Sequence, residues 1–273
     1  MTYSDTYEAV YDLYDRDAAW EDLVDVGSRE SLNLADEALT RHAGSDEVGL
    51  RIRDFQTGAD EEYSFGDLNA AADCVANYLV EHTDRHDRVG VMLPPSLELY
   101  AAAFGTMKAG RIWVPLDVVF GPDALAHRAR DSGMTLLFAP ADHADAIDPE
   151  RMQALDRVVL VDGPPADILR EVTVDAYAVV LDHENAFETI ETHPNDLFRL
   201  VYTSGTSGQP KGIPSPHGWT MVASHAFLKH VIDLRPEDRY FVAASPAWAY
   251  GSLRRDDHAR AVRYGHRGLP RAV

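Results

Sequence analysis

Residues 88–139 read RVGVMLPPSLELYAAAFGTMKAGRIWVPLDVVFGPDALAHRARDSGMTLLFA, and this stretch decides the fold. Three apolar, strand-length runs, RVGVML (88–93), IWVPL (112–116) and MTLLFA (134–139), alternate with two helix-like segments, ELYAAAFGTMKA (98–109) and PDALAHRARDS (122–132). That alternation is βαβαβ, the pattern of an α/β fold with layers on a parallel sheet. Local chemistry agrees: Pro122 falls in a first helical turn, and Gly110 and Gly133 stand just past the two helix ends. Working outward, RVVLVDG (157–163) and LFRLVY (197–202) read as further strands, separated by a loop-rich, acidic stretch at 164–195. Upstream, RIRDF and YSF flank Gly58 as a hairpin, and SLNLADEALTRH reads as a helix from Ser31. Ser64 and Asp67 form a capping-box pair ahead of a helix whose face carries Leu68, Ala72, Val75 and Leu79. Cys74 lies in that helix and reads as a packing residue. Residues 1–30 are acidic, with Tyr3, Tyr7, Tyr11, Tyr14 and Trp20 at roughly helical intervals, and read as a helical extension packed on a larger body.

The chain has 273 residues, with 45 Asp and Glu against 25 Lys and Arg, a net charge of −20. Such a balance argues against nucleic-acid binding through bulk charge. With 45% apolar residues the chain can bury a core, and disorder and collagen-like repeats are excluded. Lys108, Lys211 and Lys229 are the only lysines, so 22 of the basic residues are arginine. An acidic surface nearly free of lysine suits a protein that stays hydrated in concentrated salt, and a halophilic cytosolic protein is the reading; an ordinary acidic enzyme is the alternative. A single cysteine makes no internal disulfide, and Met1–Asp15 has neither the basic nor the apolar region of an export signal. Apolar runs such as Val158–Val161 are of strand length, well short of the ~20 residues of a membrane span. A cytoplasmic protein with no membrane span is expected.

Immediately after the strand LFRLVY comes TSGTSGQPKG (203–212). Gly205 and Gly208 permit positive φ and let backbone N–H groups converge on an anion; Thr203, Ser204, Thr206 and Ser207 add hydroxyl donors, and Lys211 adds a point charge. This chemistry suits phosphate. It is not a Walker loop, because Pro210 stands where that motif needs glycine, and it is not a G-x-G-x-x-G turn. A flexible linker rarely ends in a rigid Pro-Lys-Gly or follows a buried-type strand.

YTSGTSGQPKG (202–212) resembles the signature phosphate loop of the adenylate-forming superfamily of acyl-CoA synthetases, aryl-CoA ligases, luciferases and peptide-synthetase adenylation domains. EYSFGDLNAAADCVANYL (62–79) and MKAGRIWVPLD (107–117) are similar to two further segments of that family, in the same order. VFGPDALAHRARDSGMTLLFA (119–139), PKGIPSPHGWT (210–220) and FVAASPAWAYG (241–251) look most like acyl-CoA synthetases of the acetate or short-to-medium-chain type. The resemblance implies ATP, Mg²⁺ and coenzyme A as cofactor and co-substrates and a small carboxylate as substrate. Thr203, Ser204, Gly205, Thr206, Ser207, Gly208 and Lys211 would handle the ATP phosphates. His217, Trp248 and Tyr250 would lie near the acyl or nucleotide pocket, with a turn histidine and core aromatics as the alternatives. No residue is given a catalytic role and no metal ligand is assigned.

The implied organisation is an N-terminal helical extension (1–30), a first α/β subdomain (31–196), the start of a second with the phosphate loop (197–251) and a basic tail (252–273). That tail holds six Arg and two Asp, a charge of +4 against −24 for the first 251 residues. The reading is an out-of-frame stretch of a GC-rich gene, with a functional basic tail as the alternative. After Gly251 the chain has no Tyr-Gly-x-x-Glu, no Arg-Thr-Gly-Asp and no lysine, all of which the family carries downstream. The expected fold is therefore an incomplete N-terminal large domain of the adenylate-forming fold, without the small C-terminal domain. Three functions follow: an inactive or weakly active acyl-CoA synthetase fragment, a non-catalytic remnant that binds nucleotide or pairs with itself or a full-length paralogue, or another adenylating enzyme acting on aryl or amino acids.

Overall fold

A computed structural model describes residues 14–54, 58–163, 171–203, 208–235, 238, 240–242, 244–248 and 262–265. In chain order the first elements are α1 (Arg16–Leu23), α2 (Leu34–Ala38), β1 (Val48–Arg53), β2 (Asp60–Ser64), α3 (Phe65–His82), β3 (Arg88–Val91), α4 (Leu97–Lys108) and β4 (Ile112–Pro115). They continue with α5 (Pro122–Ser132), β5 (Leu136–Pro140), β6 (Arg157–Val161), β7 (Thr173–Ala176), α6 (Tyr177–Leu181), β8 (Leu197–Thr203), β9 (Lys211–Pro216), α7 (His217–His230), β10 (Tyr240–Val242) and β11 (Val262–Gly265).

Local chemistry starts and stops the helices. Ser64 Oγ accepts the Asp67 N–H at 3.0 Å while Asp67 Oδ2 accepts the Ser64 N–H at 2.9 Å, so the expected capping box opens α3. The Ser64 hydroxyl, donating to Asp67 Oδ2 at 2.7 Å, and the Ser64 N–H together hold the Asp67 carboxyl below its usual range. Ser96 Oγ accepts the Leu99 N–H at 3.2 Å to open α4, and Pro122 opens α5. Gly133 ends α5 at φ +63°, a left-handed cap that a Cβ disfavours.

The main sheet has the order β7-β6-β5-β3-β4-β8-β9. Every described pairing in it is parallel except the antiparallel β8–β9 hairpin. The chain steps from β3 to β4 in one direction and then back across β3 to β5, so right-handed crossovers place α4 and α5 on opposite faces. The side-chain alternation confirms it: Leu136, Phe138, Val159 and Val161 pack with α3 and α4, whereas Leu137, Ala139, Val158 and Leu160 pack with α5. All residues from Leu99 to Lys108 are buried, because α4 lies between the sheet and α3. The contact is close at Gly105, where a Cβ would fall 2.6 Å from Val75 Cβ. A second sheet has the order β10-β11-β1-β2, in which β1 and β2 form the expected hairpin around Gly58.

Several expectations change. Only Leu34–Ala38 and the short 3₁₀ turn Thr40–His42 of the proposed 31–42 helix are helical. Leu32 donates its N–H to Thr192 O at 2.8 Å, and Asn33 caps the Ala35 N–H at 3.0 Å while its amide reaches Met107 O at 2.8 Å. Tertiary hydrogen bonds thus hold the start of that segment extended. Residues 173–181, read as loop, form the edge strand β7 and the short helix α6. The main sheet also ignores the boundary drawn at residue 197: β8 bonds to β4 and β9 to β8, so 197–216 extend the sheet of 88–176. Val262–Gly265, from the segment read as a tail, pair in parallel with β1 and β10. In the N-terminal extension, α1 packs on α7, with Leu23, Leu32 and Met221 in one apolar cluster; Tyr3, Tyr7 and Tyr11 lie outside the described residues. Among the described residues, no helix is long and apolar enough to cross a membrane.

Candidate functional site

The Gly/Ser/Thr-rich stretch joins β8 to β9. Thr203 and Lys211, at its two ends, are cross-strand partners, so β8 and β9 form a hairpin that this stretch closes. Since β8 runs parallel to β4, the turn rises from the carboxyl edge of the sheet, beside the strands where the winding direction reverses. Open α/β sheets bind ligands at that edge. Thr203, Gly208 and Lys211 are exposed there, and a Cβ at Gly208 would meet nothing within 4 Å. Ser204, Gly205, Thr206, Ser207 and Tyr250 lie outside the described residues.

Helix α5 holds the hairpin from below. His127 Nε2 is 2.9 Å from Pro210 O, and because a carbonyl oxygen only accepts, the imidazole donates. Tyr202 OH donates to Asp131 Oδ2 at 2.7 Å. Burial and that bond push the Tyr202 phenol well above its usual range. Arg128, one helical position from His127, lies 4.0 Å from the Phe120 ring centroid and 5.6 Å from that of Tyr202. Burial lowers the pKa of its guanidinium. His127 and Asp131 are i and i+4 on one helical face, a spacing visible in the sequence, but the sequence reading assigned neither a role.

His217 is set apart from this turn. His217 opens α7 immediately after Pro216, which pairs with Leu197 at the start of β8. It therefore lies about six strand positions, roughly 20 Å, from the turn. Its ring is buried, packs 5.1 Å from the Phe198 centroid, and accepts the Leu34 N–H on Nδ1 at 2.9 Å. Burial pushes its pKa down to about 4. Trp248 is half exposed, in a turn closed by its N–H to Ser245 O at 3.0 Å.

A doubly wound sheet with a hydroxyl-rich, lysine-ended turn at its carboxyl edge is a nucleotide-type architecture. The chain belongs to the AMP-binding enzyme family, whose model matches residues 40–254. It is 30% identical over 227 residues to an acetyl-coenzyme A synthetase of Bacillus subtilis, an alignment covering 81% of this chain and 39% of that protein. The crystal structure of a Brucella canis acyl-CoA synthetase superposes with a TM-score of 0.85 at 27% identity, covering 97% of this chain and 48% of that one. An anthranilate CoA ligase in complex with anthranoyl-AMP shares the fold, with a TM-score of 0.76 at 21% identity over 92% of this chain and 47% of its own. The chain thus spans about two fifths to half the length of these relatives, and its fold is that of their N-terminal part.

Proposed function

We propose that this chain is the ATP-facing part of an AMP-forming acyl-CoA or aryl-CoA ligase, and that these 273 residues by themselves give weak or no overall ligation. The observation that carries the reading is the Thr203–Lys211 turn at the carboxyl edge of the parallel sheet. In the reaction a carboxylate oxygen attacks the α-phosphorus of ATP, pyrophosphate leaves, and the thiol of coenzyme A then displaces AMP from the acyl-adenylate. Charge grows on phosphate oxygens in the first step. Lys211 and the hydroxyls of Thr203, Ser204, Thr206 and Ser207 are donors suited to those oxygens. With no carboxylate among them they offer Mg²⁺ at most a hydroxyl, and the ion would be held largely by the triphosphate that carries it. Gly205 and Gly208 would let the turn fold over the nucleotide, with His127 and Tyr202 fixing its base. An acetate-type substrate is favoured by the Bacillus subtilis relative and an aryl acid by the anthranilate ligase fold.

The Lys211 side chain is exposed at the end of the hairpin. Lys211→Ala should therefore lower ATP affinity about tenfold or more, the size of a lost charge-assisted contact, without moving the melting temperature. Isothermal titration with ATP checks this, and unchanged affinity would overturn the assignment of the turn. ATP–pyrophosphate exchange well above background with any carboxylate would overturn the claim of weak activity.

A further inference from the structure

Glu81 and His82 close α3, and His183 lies just beyond α6, more than a hundred residues away. One ligand atom from each of the three lies within 4.8 Å of the others. His183 Nδ1 is 2.9 Å from Val179 O, so that nitrogen must carry the proton. In the neutral ring with that tautomer Nε2 keeps its lone pair, 3.4 Å from Glu81 Oε2, and in the imidazolium it donates to that carboxylate. A divalent cation can take the place of the proton between these two atoms. A ligating histidine whose other nitrogen donates to a backbone carbonyl is the usual arrangement around a bound metal. His82 completes the set, its Nε2 3.9 Å from Glu81 Oε1.

The rings are held in place from beneath. Tyr78, fully buried, meets His82 edge-on at 4.6 Å and His183 at 5.4 Å between centroids. Its hydroxyl donates to Asp175 Oδ2 at 2.7 Å, and Arg157 neutralises that carboxylate through an ion pair. Both imidazoles are half buried and the carboxylate is exposed, which leaves the outer positions of a coordination sphere to water.

We propose that Glu81, His82 and His183 form a surface site for a late first-row divalent cation, zinc being the probe, that staples the end of α3 to the segment following α6. Two imidazoles and one carboxylate are a donor set suited to such an ion, and three protein ligands plus water satisfy its tetrahedral preference. The site lies apart from the β8–β9 turn and is independent of ATP handling.

The test is equilibrium dialysis of the chain against Zn²⁺ alone, compared with the double variant His82→Gln, His183→Gln. One ion per chain is expected, with affinity at least about tenfold lower in the variant, and a melting temperature that Zn²⁺ raises in the parent only. A wild-type measurement guards against a misfolded variant: in imidazole ¹⁵N NMR, one equivalent of Zn²⁺ should shift the His82 and His183 nitrogens together, with His183 Nδ1 remaining protonated. Equal Zn²⁺ binding by both proteins, or shifts confined to other histidines, would overturn the proposal.

Discussion

Lys108 ends α4 with no exposed surface, and its ammonium pairs with Asp73 of α3, whose side chain is 5% exposed. Asn69 completes the group: Lys108 Nζ donates to Asn69 Oδ1 at 2.9 Å, and Asn69 Nδ2 donates to Asp73 Oδ2 at 2.8 Å. Replacing Lys108 by Met keeps the volume and the helix but strands a carboxylate in the core. Breaking one side of a buried pair costs about 3–5 kcal/mol. Because Asp73 keeps its Asn69 bond, the lower end, about 3 kcal/mol, is expected. Burial already pushes the Asp73 carboxyl above its ordinary range, and the Lys108 bond and charge pull it back down. In the variant the pKa must climb further. A carboxyl whose folded pKa exceeds the unfolded one destabilises at high pH, and the penalty fades as pH falls through the folded value. The Lys108→Met penalty should therefore be larger near pH 7 than near pH 5, and adding Asp73→Asn should recover at least half of it. Urea denaturation followed by circular dichroism at both pH values measures each quantity. A penalty below about 1 kcal/mol, or one equal at the two pH values, would refute the buried-charge argument.

His217 titrates at about 4 in the folded chain against 6.5 for a free imidazole. Its stabilisation is complete above 6.5 and is lost as pH falls toward 4, about 3 kcal/mol in all at 1.36 kcal/mol per unit. Urea titrations of His217→Gln across that window should show a correspondingly flatter stability profile, and identical slopes would remove His217 as the cause. His127→Ala deletes the bond to Pro210 O and should weaken ATP binding severalfold while leaving the far-ultraviolet spectrum unchanged. Equal ATP affinity in parent and variant would mean that the anchor does not position the turn. The acidic, lysine-poor composition predicts a melting temperature that rises steeply with KCl, where about 1 M salt screens charge within roughly 3 Å. Stability undiminished in dilute buffer would count against halophily.

The βαβαβ run, the capping box at Ser64, the left-handed stop at Gly133 and the hydroxyl-rich turn were all legible in the sequence. Each depends on residues a few positions apart, where apolar periodicity, cap chemistry and glycine geometry act locally. Strands β7 and β9 were not legible. TVDA carries no strong apolar run and KGIPSP contains two prolines, so each becomes a strand only by bonding to a neighbour already in the sheet. His217 stands at the far end of the β8–β9 hairpin from the turn, buried against Phe198, a position its local motif does not reveal. The sequence by itself determined the layer pattern and the glycine- and hydroxyl-rich, lysine-ended composition of residues 203–211. Only tertiary structure decided that Lys108 faces Asp73 and that His183 meets Glu81 and His82, because those pairings come from the packing of helices distant along the chain.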